Sequence, residues 1–381
     1  MAKYFTDIEL MMRPPHLGPP DEFRFRALKL ALGRPVANSI RRAMCRLVPT
    51  YSVAPDTIRY ENNTSCWDPE MVNHQIIYMK FIPDFLDKAD LNMMEMVLNV
   101  QNEEKAYRWV FAGEFELRNK ETNEKIPIDK VLVYPQQPLI KLGPGENLYL
   151  TCSVEKMSKA DAERKGGADI ARHQSGSGGI DYKDDEKEPD ADPAEILFSV
   201  CVQTGIGPKE LVQIGMENLI TTFQNLQEAI KNEKTDKFYL QINRYFRYDF
   251  VFSDEDHTAG NLIEKWINRH DPMSMAGYRQ TRDRKGIIVD YGLRKFIPAV
   301  LQEKISSNDL EEVVERSITS LGKQKEREQR METVRTFLEQ LARIEEYLKE
   351  LLADWKKVNV REVSVKDYNA ETDRLRRERM K

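Results

Sequence analysis

Cysteine and histidine are scarce in this chain of 381 residues, with four of the first and five of the second. Cys45, Cys66, Cys152 and Cys201 stand far apart and form no C-x-x-C pair, a pattern that suits reduced, buried thiols better than disulfides or a zinc site. His16, His74, His173 and His270 have no partner at ligand spacing. A phosphate loop is missing too. Gly176, Gly178 and Gly179 fall in a Gly/Ser-rich stretch with no strand pattern before it and no helix pattern after it, which reads as a flexible linker. There is no nucleophile elbow and no paired-carboxylate signature. No apolar run approaches membrane-spanning length, and the opening MAKYFTDIEL is not a signal peptide, so the expectation is an intracellular protein with no membrane contact. Charge of one sign is lacking as well: 63 acids against 58 bases leave a net −5, which argues against wholesale coating of nucleic acid. The remaining chemical candidate is His257 beside Asp254, Glu255 and Asp256. Neighbours on one segment point in different directions, and a helix start accounts for the acids. These absences leave no catalytic residue, no metal and no cofactor.

The chain is long enough for two or three domains. Its most informative stretch is Gly33 to Ser65, GRPVANSIRRAMCRLVPTYSVAPDTIRYENNTS. Pro35 suits a first helical turn and Pro49 cannot continue a helix. Between them Val36, Ile40, Ala43, Met44 and Leu47 make one apolar stripe, with Arg41, Arg42 and Arg46 off it. Ile58 and Tyr60 then alternate with polar neighbours as in a half-buried strand. Residues 3–13 and 21–32 read as strands separated by a proline-rich turn. Further strand-like runs cover Met96–Val100, Trp109–Leu117, Leu148–Val154 and Leu197–Val202. Residues 165–195 carry too little apolar surface to offset ordering and read as a mobile loop.

After Pro208, the residues Leu211, Val212, Gly215, Leu219, Phe223, Leu226 and Ile230 recur at helical spacing. The stripe is too long for one small sheet to cover, so part of it should meet another element. Past the polar linker the strand-like YLQINRYFRYDFVF leads to EDHTAGNL, where Thr258 and the acids suit a helix start. Ala259, Leu262, Ile263, Trp266 and Ile267 form the stripe of that helix, and Asp271-Pro272 stops it. Met275–Tyr278 and Gly286–Tyr291 suit strands, and Leu310, Val313, Val314, Ile318 and Leu321 suit a closing helix. Residues 323–357 read as a charged helix with a seven-residue repeat through Met331, Val334, Leu338, Leu341, Leu348, Leu352 and Trp355, broken once at Glu345. That repeat fits docking on the body of the protein or pairing with another chain.

The string Asn38-Ser39-Ile40-Arg41-Arg42, followed by Val48-Pro49-Thr50, by Glu61-Asn62-Asn63-Thr64-Ser65 and by DPEMVNHQIIYMKFIP ending at Pro83, resembles the signature of the RNA polymerase alpha-type assembly subunits. LIKLGPGENLYLTCSVEKM resembles that family's inserted domain. EDHTAGNL resembles the first-helix signature of the small partner of these subunits, archaeal subunit L and the eleventh subunit of polymerase II. The resemblance implies an α+β fold: an intramolecular pseudo-dimer of two alpha-type dimerisation domains. It divides the chain into a discontinuous large dimerisation domain (1–83 and 196–231), an inserted mostly-β domain (84–195), a linker (232–237), a small dimerisation domain (238–322) and a helical charged extension with a basic tail (323–381).

The same resemblance implies a non-catalytic assembly subunit of a DNA-dependent RNA polymerase, a platform for the two large catalytic subunits. A small zinc-ribbon-type polymerase subunit is a further implied partner, with nucleic acid reached only through the complex. Asn38, Arg41, Arg42 and Arg46 would face a large subunit. Val36, Ile40, Met44, Leu211, Leu219, Phe223, Leu226, His257, Thr258, Gly260, Asn261, Leu262, Ile263, Trp266, Leu310 and Val314 would join the two halves. Some relatives hold a cysteine-ligated metal in the inserted domain; this sequence departs from them, and no metal is carried over. Fusion of the two halves resembles the arrangement in large DNA viruses, which implies host cytoplasm and virion, or the nucleus for a cellular eukaryotic subunit. Two other readings are a free-standing regulatory or nucleic-acid-binding protein on the same fold, and a coiled-coil scaffold built through 323–357.

Overall fold

The computed structural model describes residues 3–11, 22–160, 162, 176–182, 193, 195–202, 204–232, 237–242, 247–253, 255, 257–281, 286–296 and 323–363. Strand β1 (Ile8–Met11) pairs antiparallel with β2 (Glu22–Leu28). Phe23, Phe25 and Ala27 on one face of β2 are fully buried, as period-2 alternation requires. A tight turn follows in which Lys29 and Leu32 hold φ of 51° and 58°, uncommon for residues with a side chain. It delivers the chain into α1 (Arg34–Arg46), with proline in the first turn.

After α1 the chain builds a separate hydrophobic core. Its elements are β3 (Thr50–Val53), β4 (Arg59–Asn63), α2 (Pro69–Ile77), a single turn α3 (Pro83–Leu86), β5 (Met94–Gln101), β6 (Arg108–Phe111), β7 (Glu116–Asn119), β8 (Lys125–Ile126), β9 (Pro138–Leu142), β10 (Asn147–Cys152) and β11 (Val154–Met157). They form a five-stranded sheet in the order β4-β10-β5-β7-β8 and two ribbons, β11-β3 and β6-β9. Tyr51, Ile76, Phe81, Leu98, Val110 and Leu150 are among the side chains that meet inside.

The chain then returns. β12 (Gly176–Tyr182) and β13 (Glu195–Val202) extend the first sheet, and α4 (Pro208–Lys231) packs on α1. Beyond 233–236 come β14 (Phe238–Ile242), β15 (Tyr248–Ser253), α5 (His257–His270), β16 (Ser274–Gln280) and β17 (Gly286–Leu293), with the four strands in the order β14-β15-β17-β16. The 33-residue helix α6 (Lys323–Trp355) and β18 (Val360–Val363) complete the described chain. β18 runs parallel to β1, so the first sheet reads β12-β13-β2-β1-β18. The architecture is mixed α+β with several sheets.

One core holds Phe25, Ile40, Phe198 and Phe223 from before residue 233 together with Phe250, Leu262 and Tyr291 from after it, and Phe337, Leu348 and Trp355 from α6. The segments either side of the linker therefore share an interior.

Four expectations need correction. Residues 50–83, expected in the first domain, supply Tyr51, Val53, Val72, Ile76, Met79 and Phe81 to the second core, because β3 and β4 pair with β11 and β10. Alternation in a strand says that one face is buried, not which core buries it. The loop expected over 165–195 contains β12, which pairs with β13 along its whole length through Gly176, Gly178 and Gly179. Backbone groups at an open sheet edge need partners, and a ladder asks little of the side chains that supply them. Trp109–Leu117 is two strands, since a 3₁₀ turn at Ala112–Glu114 separates β6 from β7. Finally, the buried face of α6 is Phe337, Leu341, Ile344, Leu348, Leu351 and Trp355, and Met331 is exposed. The helix docks on α4, α5 and β17 of its own chain. Leu310 and Val314, with the rest of the expected closing helix and the basic tail, lie outside the described residues, as does most of the linker.

Candidate functional site

The two motif-bearing helices meet. Along α1, Val36, Ala37, Ile40, Ala43 and Met44 are completely buried, which fixes which way its arginines face. Arg41 donates from Nε and Nη2 to Asn38 Oδ1 at 3.0 and 2.8 Å, so Asn38 orients that guanidinium one turn along the helix. Arg42 crosses to α5: its Nε donates to Thr258 Oγ1 at 2.8 Å, a bond between residues 216 apart in sequence. Thr258 is buried in the first turn of α5. A hydrogen bond from a charged donor to a buried hydroxyl contributes on the order of 1.5–3 kcal/mol. Arg46 is half-buried in the last turn of α1. Burial pushes the thiol of Cys45 up, against the nearby charges of Arg41, Lys159 and Arg46.

α4 holds the other side of α1. At Gly215 a β-carbon would stand 2.9 Å from the Met44 backbone, so the two helices cross with no room for a side chain. One turn on, Asn218 Nδ2 donates to Leu47 O at 2.8 Å and satisfies a carbonyl at the end of α1. Leu211, Leu219, Phe223 and Leu226 share their core with Leu262, Ile263 and Trp266 of α5. The remaining residues expected at the junction serve α5 locally. His257 is exposed and meets the Tyr278 ring edge-on at 5.7 Å, and Asn261 is half-buried. A β-carbon on Gly260 would stand 2.5 Å from the same Tyr278 ring, so glycine is there for close packing of α5 on β16.

The short motifs after α1 have structural work of their own. Asn63 Oδ1 accepts from Ser65 N–H and Oγ–H at 3.0 and 2.6 Å, closing the turn after β4. Val48-Pro49 and Pro83 line a cleft of about 240 Å³ between the two cores. In its wall Tyr51 Oη donates to Asp87 Oδ1 at 2.6 Å and Lys156 pairs with the same carboxylate. Burial raises Asp87, but these two donors outweigh it and hold the carboxyl below its ordinary range. At Gly205, on the exposed turn before α4, a β-carbon would lie 3.0 Å from Ile82 Cα, so that turn passes close against the end of the IP motif.

No protein-family model matches the chain, and no curated protein matches it either. The geometry therefore has to speak from its own contacts. Asp254 and Asp256 lie outside the described residues, and among the described residues no three His, Cys, Asp or Glu side chains are grouped to hold a metal ion. No helix among them is long and apolar enough to cross a membrane.

Sequence reasoning missed the part played by α6. Asp354, buried, accepts the backbone N–H groups of Lys3 and Tyr4 at 2.7 and 2.6 Å. Tyr347 Oη accepts the Ala31 N–H at 2.8 Å, supporting the strained turn that launches α1. Glu345, the break in the heptad, accepts from Gln224 and Gln227 of α4 at 2.8 and 2.6 Å. Burial raises its carboxyl, but Lys349 and the two amides hold it low. The break in the apolar repeat was the available signal; nothing in the sequence marked Asp354 or Tyr347.

Proposed function

We propose that the chain is a fused alpha-type assembly subunit of a multisubunit DNA-dependent RNA polymerase, a non-catalytic platform for the two large subunits. The observation that carries this reading is the contact between the two signature helices: Arg42 of the NSIRR motif donates to Thr258 of the EDHTAGNL motif. In this reading the first sheet with α1 and α4 is the large dimerisation domain, and β14 to β17 with α5 is the small one. The two pack as an intramolecular pseudo-dimer, with the second core as the insertion. Fusion fixes the pairing and supplies an effective concentration on the order of millimolar for the second half.

α6 is the charged extension beyond the closing helix expected through Leu310 and Val314, and it adds a cover over α4, α5 and β17. The large subunits, and a small zinc-ribbon-type subunit, are the partners this reading names. The two arginines now separate in role. Arg42 joins the halves, and Arg41, oriented by Asn38, is the contact offered to a large subunit.

Tagged protein purified from its natural source is expected to bring two large polymerase subunits in equal amount. Arg41→Ala should keep the same unfolding midpoint and lower that recovery several-fold. Arg42→Ala should lower the midpoint itself. Stoichiometric companions other than polymerase subunits would retire the proposal.

A further inference from the structure

Far from α1 and α5, at the margin of the second core, strand β6 pairs with β9 alone. β9 also packs against α2, whereas β6 has no strand beyond it among the described residues and keeps only its Phe111 N–H occupied, by Glu114 Oε1 at 2.9 Å. Val110 of β6 is completely buried, while Tyr107, Trp109 and Phe111 are 66%, 48% and 38% exposed. Tyr107 directly precedes β6, and Lys141 over both its ring and that of Trp109 puts those two on one face; Phe111 stands two residues past Trp109, where the ladder with β9 shifts register. Proteins usually blunt an open strand edge with charge or proline, and large apolar side chains left exposed in a group mark an interaction surface.

Among the described residues one cation lies over these rings. Lys141 Nζ, on the neighbouring strand, lies 5.1 Å from the centroid of Tyr107 and 5.7 Å from that of Trp109. Among the described residues no carboxylate pairs with it. The nearby Arg108 already has Glu114 at 2.5 Å. A single unneutralised ammonium between exposed rings asks for an anion flanked by apolar groups. A nucleic-acid strand could offer bases to the rings, but its phosphates would meet a unit in which acids outnumber bases 17 to 11 between residues 50 and 157.

We propose that β6 is a docking edge for an extended segment of a partner protein. The segment adds as a strand beside β6, lays apolar side chains on Tyr107, Trp109 and Phe111, and sets an aspartate or glutamate against Lys141. This surface is separate from the helices that carry the assembly reading, so each can fail without the other.

A random twelve-residue peptide library panned on the full-length chain tests the proposal, with Trp109→Ser as the counter-target. The expected winners carry a carboxylate between β-branched or aromatic residues. A synthetic winner should bind Trp109→Ser and Lys141→Glu at least tenfold more weakly than wild type. Exchanging its carboxylate residue for lysine should restore binding to Lys141→Glu. Trp109 is exposed and Lys141 half-buried, and an unchanged thermal melt of each variant separates lost docking from lost folding. Winners that are uniformly basic, or none that depends on Trp109, would overturn the proposal. So would tight binding of a twelve-nucleotide oligo-dT that Trp109→Ser abolishes, which would make the rings a base-stacking platform instead.

Discussion

Gly215 shows how one position can decide a helix crossing. Glycine inside a helix costs roughly 0.5–1 kcal/mol relative to alanine, so on propensity alone Gly215→Ala should stabilise α4. The added methyl would sit 2.9 Å from both the N and the Cα of Met44, which are backbone atoms and cannot rotate away. Overpacking of this kind costs about 1–3 kcal/mol and reverses the sign. Urea unfolding of Gly215→Ala should therefore show a lower midpoint with an unchanged slope, and Gly215→Leu a larger loss. A raised midpoint for the alanine variant would mean that α1 and α4 can part at little cost. Thr258 is the counterpart on the other side of α1. Its hydroxyl looks like an ordinary helix-start residue in the sequence, and only the fold gives it Arg42 as a donor.

Among the elements, β18 owes its place in the first sheet to charges as well as to backbone pairing. Its Arg361 and the buried Arg24 of β2 both donate to Glu9 of β1, the latter at 2.5 Å, so one carboxylate ties three strands together. Burial raises the carboxyl of Glu9, but the two guanidiniums outweigh it and hold it below its ordinary 4.5. A carboxyl whose folded value is depressed stabilises the fold above its unfolded value and loses that contribution as pH falls. Glu9→Gln should then cost on the order of 1 kcal/mol at pH 7, because the Arg361 arm is largely exposed and screened. The difference from wild type should shrink as pH drops below about 4.5, and amide exchange of residues 360–363 should show it first. An equal difference at pH 7 and pH 3 would put the effect down to packing rather than charge.

The elements themselves were legible wherever a long apolar period stood alone. The stripes of α1, α4 and α5 each pointed to the face that is buried, and the apolar runs of β10 and β13 marked those strands. What stayed hidden was pairing at a distance. The Gly-rich β12 has no side-chain pattern to betray it, β18 is four residues with a mostly exposed face, and β3 and β4 could have served either core.

On the scale of the whole molecule, the described residues build two interiors, and one helix locks the larger of them. Trp355 is completely buried, with its ring 5.2 and 4.7 Å from those of Phe5 and Phe25, and its Nε1 donates to Lys209 O at 3.0 Å. Phe337, the first buried apolar residue along α6, has its ring 4.1 Å from that of Phe250 and 5.0 Å from that of Tyr291. One helix thus covers aromatic clusters on both sides of the linker. Trp355→Ala alone should cost about 3–5 kcal/mol, and loss of the whole helix uncovers both clusters at once.

The four tryptophans divide evenly and can report on the two interiors separately. Trp266 and Trp355 belong to the larger core, whereas Trp67 packs on the smaller and Trp109 lies at its margin. In a chain ending at residue 322, a variant keeping Trp67 as its sole tryptophan should retain a cooperative urea transition. One keeping only Trp266 should lose its transition and bind a hydrophobic dye, and a separate 323–363 segment added in excess should bring the transition back. Survival of the Trp266 transition at full strength in the shortened chain would mean that the first sheet, α4 and α5 close a core by themselves, with α6 merely resting on it.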